Sequence, residues 1–146
     1  MATVTRDLQC SPADVLAVLA DGWTYATWVV GTSRIRAVEG SWPEPGARVL
    51  HSFGVGPAVI DDATVVRSWD PERGIELTAR GWPAGEARVA ISVRARPGGG
   101  STVRIAEDAV RGPGTLVPRP VRTALLVPRN TETLRRLAHL AERRTS

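Results

Sequence analysis

The stretch that decides the fold is residues 86–110, EARVAISVRARPGGGSTVRIAEDAV. Its first part alternates apolar and polar residues, and the apolar set is Ala87, Val89, Ile91, Val93 and Ala95. A period of two is typical of a β-strand with one dry face and one wet face. The turn PGGG at 97–100 then returns the chain into a second strand, so the stretch predicts an antiparallel hairpin.

The second strand of this hairpin carries a carboxylate where an apolar residue is expected. Glu107 has the same parity as Val103, Ile105 and Ala109, which places it on the dry face. A carboxylate is costly to desolvate unless it is paired. We therefore interpret Glu107 as a general acid/base or as a hydrogen-bond anchor for a ligand. The alternatives are that it bonds to a buried Arg or Trp, or that a bulge turns it outward beside Asp108.

Five further segments extend the strand pattern on the N-terminal side of this hairpin. Short turns rich in Gly and Pro separate most of them, which indicates consecutive antiparallel hairpins. The hairpin strands themselves span residues 86–96 and 102–110. The other predicted strands span residues 3–9, 33–39, 47–55, 58–69 and 74–81.

Helices are predicted in two regions of the chain, after the first strand and at the C-terminal end. Ser11 and Pro12 form a strong helix start, with Asp14 positioned to complete the cap, and this helix ends at Asp21-Gly22. A second short helix or turn spans residues 23–30. The C-terminal helix, residues 118–144, is expected to break at Pro128.

The C-terminal helix has one apolar stripe, so it needs a surface to cover. The sheet has one dry face, and the two should cover each other. The sequence therefore predicts an α+β fold, with a curved seven-stranded antiparallel sheet wrapped on the long C-terminal helix and two short helices after the first strand. The stripe consists of Leu134, Leu137, Ala138 and Ala141.

Length and composition indicate one ordinary globular domain, residues 1–146, with 42% apolar and 23% charged residues. No apolar run reaches the roughly 20 residues that span a bilayer. The first residues do not resemble a signal peptide, and Cys10 is the only cysteine, so we expect a cytoplasmic protein. All 19 basic residues are Arg and form no basic run, which argues against nucleic-acid binding.

Several other residues are candidates for a site. His51 shares parity with Val49 and Phe53 and is interpreted as a base or ligand-orienting group, or as a satisfied histidine at the sheet edge. Asn130 either directs its amide into a pocket or caps the helix after Pro128. Tyr25 and Trp28 either line the mouth of a cavity or pack as core and lid.

Cys10 precedes a helix start, a position that can lower the pKa of a thiol. It has no evident reaction partner, so we interpret it as structural. One cysteine and two distant histidines do not make a zinc site, and no metal or cofactor is expected.

Three segments carry a resemblance to a known family. They are residues 20–49 (ADGWTYATWVVGTSRIRAVEGSWPEPGARV), 104–114 (RIAEDAVRGPG) and 128–144 (PRNTETLRRLAHLAERR). With the order of elements, they resemble actinobacterial members of the START/Bet v 1-like (SRPBCC) superfamily, commonly labelled polyketide cyclase/dehydrase. The resemblance implies a helix-grip fold with a deep cavity between sheet and helix, used by different members for lipids, sterols, plant hormones and polyketides. The family includes carriers and cyclases, so the fold does not choose between them.

Three functions follow as hypotheses. The first is a carrier or sensor that binds a lipid-like or polyketide-like molecule. The second is a cyclase, aromatase or dehydratase that uses Glu107 or His51 as acid/base. The third is a partner protein with a closed cavity. The expected partner is a small hydrophobic molecule, and the protein is expected to be a monomer or a homodimer. The predicted ligand-binding residues are Tyr25, Trp28, Phe53, Leu77, Val89, Ile91, Val103, Ile105, Asn130 and Leu134.

Overall fold

The sheet contains seven antiparallel strands in the computed structural model of the protein, which describes residues 2–30, 32–53, 60–81 and 85–144. Their order across the sheet is β1-β7-β6-β5-β4-β3-β2, so each strand from β2 to β7 pairs with its neighbour in sequence. The predicted α+β fold is confirmed. The strands are β1 (Ala2–Leu8), β2 (Thr32–Glu39), β3 (Arg48–Phe53), β4 (Ile60–Asp70), β5 (Gly74–Gly81), β6 (Gly85–Ala95) and β7 (Ser101–Arg111).

The predicted hairpin is the pair β6–β7. Its register places Val89 opposite Glu107, and Ile91 opposite Ile105. The turn needs glycine, because Gly98, Gly99 and Gly100 all have positive φ values, between 81° and 113°. The ends of the predicted strands 47–55 and 58–69 lie outside the described residues.

Two short helices follow β1, as predicted. They are α1 (Pro12–Leu19) and α2 (Tyr25–Trp28), and a 3-10 turn at Gly22–Thr24 leads into the second. Ser11 caps α1, because its hydroxyl accepts a hydrogen bond from the Asp14 N–H at 3.4 Å. Val15, Leu16, Val18 and Leu19 bury the inner side of α1 in the core.

The long helix α3 (Arg119–Arg143) passes through Pro128 without ending, so the predicted break is wrong. A proline removes one backbone hydrogen bond but does not end a helix whose other contacts hold it. Thr131 lies in the turn around the proline, and its hydroxyl donates to the Val127 carbonyl at 2.7 Å. The prediction that Asn130 caps a helix is wrong for the same reason, because Asn130 lies inside α3.

The core forms where the dry face of the sheet meets α1 and the C-terminal half of α3. The backbone of α3 lies closest to β1, β7, α1 and α2. The predicted stripe is buried, and it shares one continuous core with the apolar residues of β5, β6 and β7. In the part of the chain that the structure describes, no helix is both long and apolar enough to span a membrane.

Candidate functional site

Glu107 enters the core from β7 and is bound by two residues of α3. Its Oε1 accepts from Asn130 Nδ2 at 3.3 Å, and its Oε2 accepts from Arg129 Nη1 at 3.3 Å. The carboxylate is 5% exposed and Asn130 is 2% exposed. Of the alternatives for Glu107, the structure has the one in which a buried carboxylate pairs with an arginine.

This pairing changes what Glu107 can do. A buried ion pair is stable only while both partners are present, because loss of one leaves an uncompensated charge. At 3.3 Å, both hydrogen bonds are slightly longer than the usual range of about 2.7–3.2 Å. Each oxygen also retains a free lone pair, so Glu107 can still accept from a ligand.

His51 and Tyr25 meet at the hydroxyl of Thr64. His51 Nε2 lies 2.8 Å from Thr64 Oγ1, and the Tyr25 hydroxyl lies 3.0 Å from the same oxygen. The rings of Tyr25 and His51 stack, with centroids 5.4 Å apart and planes 13° apart. His51 and Thr64 are completely buried and Tyr25 is 3% exposed. The three side chains form one buried hydrogen-bonded chain.

Burial dominates the ionisation of Tyr25. It raises the pKa of the phenol to about 12, while the Thr64 hydrogen bond and the charge of Arg129 act in the opposite direction. The negative charge of Glu107 adds to the increase. Tyr25 therefore stays a neutral hydroxyl at physiological pH. Its pKa also responds to the charges of Glu107 and Arg129.

Trp28 lies beside Tyr25 in α2, and the two rings meet edge to face at 5.4 Å. Trp28 is 3% exposed, but its indole N–H has no hydrogen-bond acceptor among the described residues. A buried donor without an acceptor costs about 1–3 kcal/mol. An acceptor supplied from outside the chain would recover that cost.

The chain just after α2 is attached to α3 by two hydrogen bonds. The Val30 N–H donates to Thr133 Oγ1 at 3.3 Å, and Arg129 Nε donates to the Val30 carbonyl at 3.4 Å. Arg129 thus contacts α2 and Glu107 with the same guanidinium. Through these bonds α2 is fixed between the group around Glu107 and the group around His51.

The two candidate acid/base residues lie on well-separated strands. His51 is on β3 and Glu107 is on β7, and β4, β5 and β6 separate them in the sheet. At about 4.8 Å per strand, four steps correspond to roughly 19 Å along the sheet. Tyr25 in α2 links the two residues. Its ring stacks on His51, and the charge of Glu107 raises its pKa.

The predicted apolar lining lies in the core. The side chain of Phe53 lies outside the described residues. The others are each at most 8% exposed, namely Leu77, Val89, Ile91, Val103, Ile105 and Leu134. They share one hydrophobic core with Tyr25 and Trp28.

Three polar residues of this region did not appear among the sequence candidates: Thr64, Arg129 and Thr133. Thr64 had a usable signal, because it shares the inward parity of Val66 in its strand. Arg129 had none, because its sequence neighbours do not distinguish it from the other arginines of α3.

The remaining candidates do not form a reaction centre. Burial raises the pKa of the Cys10 thiol, and the charges of Asp14 and Glu142 raise it further. The lowered pKa considered for this residue is therefore wrong. Among the described residues, no group of three or more His, Cys, Asp or Glu side chains could hold a metal ion.

A small cleft lies near the start of α3, and its lining includes Ala2 and Asp108, close to Glu107 in the sheet. Its volume of about 10 Å³ holds about one water molecule. Arg122 and Asp108 form an ion pair at its wall, with 3.5 Å between Nη2 and Oδ1. The cleft is too small for an organic ligand.

Comparison with known proteins defines the class. The family model described as polyketide cyclase / dehydrase and lipid transport matches residues 1–142, and the chain belongs to this family. No curated protein matches it in sequence.

Solved structures with low sequence identity share the Bet v 1-like fold. The Zhui aromatase/cyclase from Streptomyces sp. R1128 is similar, with 19% identity, a TM-score of 0.75 and coverage of 99% of this chain and 94% of that chain. Ara h 8.0201 has 14% identity, a TM-score of 0.72 and 95% coverage of both chains. A protein of unknown function from Staphylococcus aureus, SA2116, has 14% identity and a TM-score of 0.75, covering 98% and 93%.

Proposed function

We propose that the protein binds a small hydrophobic or amphipathic molecule, lipid-like or polyketide-like, in the space between the sheet and α3. The observation that carries the proposal is the buried indole N–H of Trp28, which has no acceptor among the described residues. Buried donors are almost always satisfied, so a ligand oxygen is a natural partner for this one. We place this binding in the cytoplasm, in keeping with a single, free cysteine.

The surroundings of Trp28 indicate what the ligand looks like. The lining is mainly apolar, which favours a hydrophobic body. The polar groups are concentrated around α2, where Trp28 supplies a donor and Glu107 supplies spare lone pairs. A molecule with a hydrophobic body and a carbonyl, hydroxyl or carboxylate at one end would match both features.

The test is a comparison of two fluorescent probes on two variants. 1-Anilinonaphthalene-8-sulfonate carries an acceptor group, and N-phenyl-1-naphthylamine is the same body without it. We expect Trp28→Phe to weaken binding of the sulfonate probe about tenfold, because one charge-assisted hydrogen bond is lost. Binding of the second probe should change much less, since the packing loss is common to both.

Trp23→Phe is the matched control, because Trp23 is 61% exposed and lies in the turn before α2. It should leave both probes unaffected. An equal loss for both probes in Trp28→Phe would contradict the anchor role and reduce Trp28 to a packing residue. Native mass spectrometry of protein from its own host would then identify the class of molecule that co-purifies.

A cyclase, aromatase or dehydratase acting on a polyketone is the second candidate. The hydrogen-bonded chain from Tyr25 through Thr64 to His51 favours it, because an imidazole held in a fixed orientation is suited to removing a proton next to a carbonyl. Glu107, paired with Arg129, would orient the substrate or act as the second acid/base group.

The catalytic role is tested with a poly-β-ketone thioester, by following the absorbance of the aromatic product. His51→Asn should lower turnover at least about 100-fold while binding of the sulfonate probe is retained. Glu107→Gln should lower turnover as well if both residues act. No turnover by the unmodified protein, together with tight probe binding, would leave the binding module as the function.

A further inference from the structure

The buried chain of Tyr25, Thr64 and His51 has a direction, because each of its two hydroxyls carries only one hydrogen. The Thr64 hydroxyl lies in the middle, 3.0 Å from the Tyr25 hydroxyl and 2.8 Å from His51 Nε2. Among the described residues, the Tyr25 hydroxyl bonds only to Thr64, and the Thr64 hydroxyl bonds only to Tyr25 and His51. All three side chains are buried, so both hydroxyl hydrogens need an acceptor inside the chain.

Both hydrogens find an acceptor only if Tyr25 donates to Thr64 and Thr64 donates to His51 Nε2. If Nε2 carried a hydrogen and donated to Thr64, one of the two hydroxyl hydrogens would have no acceptor among the described residues. A buried donor without an acceptor is costly, which disfavours that arrangement. The neutral ring of His51 therefore carries its hydrogen on Nδ1. The Tyr25 oxygen then accepts no hydrogen bond within the chain.

The Tyr25 side chain crosses the space in which we place the ligand. It begins on α2, which packs against α3, and its hydroxyl reaches Thr64 on the sheet. Thr64 has the inward parity of Val66 in β4, so the phenol ends on the inner face of the sheet. The charges of Glu107 and Arg129 affect the pKa of Tyr25, in keeping with a phenol on the same side of the sheet as that pair. The unused lone pair of the Tyr25 oxygen thus lies between the sheet and α3.

We propose that Tyr25 selects ligands that carry a hydroxyl group, as in an alcohol, a phenol or an enol, by accepting a hydrogen bond from that hydroxyl. The proposal rests on the proposed function and narrows the class of molecule that is bound. Trp28 does not discriminate, because its N–H donates equally to the oxygen of a hydroxyl, an ether or a carbonyl. Tyr25 does discriminate, because its own hydrogen is committed to Thr64. Thr64 is a positioning residue, since it determines what Tyr25 recognises.

The experiment compares 2-naphthol with 2-methoxynaphthalene, which share one apolar body and differ in whether the oxygen carries a hydrogen. Each compound displaces N-phenyl-1-naphthylamine from the full chain, and the loss of fluorescence gives its Kd. Burial alone favours the ether, because its methyl group adds apolar area. We nevertheless expect 2-naphthol to bind about tenfold more tightly, and Tyr25→Phe to reduce this preference to about twofold or less.

The outcomes separate this proposal from the proposed function. Equal binding of the two compounds would overturn the selection of a hydroxyl and leave ligand binding in place. A preference that persists in Tyr25→Phe would overturn it as well. If none of the three compounds binds, the proposed function and the selection both fail.

The role of Thr64 is tested by two substitutions of the same residue. In Thr64→Val the Tyr25 hydrogen loses its acceptor and is available to the probe, so the preference for 2-naphthol should disappear. Thr64→Ser should restore it, because serine keeps the hydroxyl. Thr78→Val is the matched control, since Thr78 is also buried in the sheet, at 7% exposure, but bonds to Arg67 on the outer face. It should keep the preference of about tenfold. A preference that Thr64→Val leaves intact would overturn the positioning role.

The hydrogen on His51 is measured separately by ¹⁵N NMR of the imidazole nitrogens, at a pH where the ring is neutral. The chain has two histidines, so His139→Gln, at an exposed position of α3, assigns the signals. We expect a protonated Nδ1 and an unprotonated Nε2 in His51. A hydrogen on Nε2 would overturn the direction of the chain, and this measurement does not depend on whether Thr64→Val folds.

Discussion

Residues 119–129 and residues 130–143 belong to one helix but differ in how they are packed. The second half buries Asn130, Thr133, Leu134, Leu137, Ala138 and Ala141, whereas the first half buries no residue. The second half is also attached to the start of the chain, since Glu142 accepts from the Gln9 N–H at 3.0 Å. One continuous helix thus holds the core together at one end and presents an open surface at the other.

The contrast between the two halves of α3 shows which half contributes to stability and which half is available for function. Burial of apolar area is the main source of stability, and in α3 it is concentrated after Pro128. The first half has little to lose when its surface is changed, so it can carry residues that would weaken a core. The polar group around Glu107 lies at the junction between the halves.

The largest effect is expected for Leu137→Ala, compared with Leu125→Ala in the same helix. Leu137 is completely buried and Leu125 is 67% exposed. Leu137→Ala should lower the free energy of unfolding by about 2–5 kcal/mol, because it removes core contacts and leaves a cavity. Leu125→Ala should change it by no more than about 0.5 kcal/mol. Urea unfolding of the two variants measures both values, and similar losses would contradict the division of the helix.

The second-largest effect is expected at Glu107, compared with the adjacent Asp108. Glu107 contacts the junction between the two halves of α3, and Asp108 contacts the first half. Glu107→Gln should lower the free energy of unfolding by about 1–3 kcal/mol, because the buried carboxylate, 7% exposed, gives up its charge-assisted hydrogen bond from Arg129. Asp108→Asn should cost less than about 1 kcal/mol, since the Asp108 side chain is 21% exposed against 7% for Glu107 and its contact with arginine is longer, at 3.5 Å. The same urea experiment measures both. A larger loss for Asp108→Asn would show that the first half is held more firmly than its burial indicates.

The smallest effect is a shift in titration, and it reports on the space beside the junction. Tyr25 is the only tyrosine, so absorbance at 295 nm follows it alone. The pKa of Tyr25 should be about 12 in the folded protein and near the ordinary phenol value of 10.0 in urea. Because the folded pKa is the higher one, the stability from the neutral phenol is present below pH 10 and is lost as the pH rises through about 12. A folded pKa close to 10 would mean that water reaches Tyr25.

Much of the fold could be predicted because its signals are local. The alternation in residues 86–96 defines the inner face of β6 without knowledge of the rest of the chain. Ser11 caps α1 and Pro12 is its first residue, so both signals lie at the helix start. The predicted break at Pro128 was wrong, because the one hydrogen bond that a proline removes is outweighed by the contacts that hold the helical turns on either side of it.

The candidate site was predictable only in part. Parity alone placed Glu107 on the inner face, since side chains of a strand alternate strictly. The partner of Glu107 was not predictable, because Arg129 is brought to it by the packing of α3 against the sheet. Thr64 meets Tyr25 and His51 only after β3, β4 and α2 are assembled.

The sequence by itself determined the order of the elements and the inner face of β6 and β7. These depend on periodicity and on turn residues, which act over a few positions. Only the tertiary structure decided that Glu107 is paired, that the Trp28 indole N–H has no acceptor among the described residues, and that the two halves of α3 differ. Those features depend on contacts between residues that are far apart in the chain, where distance in sequence carries no information about distance in space.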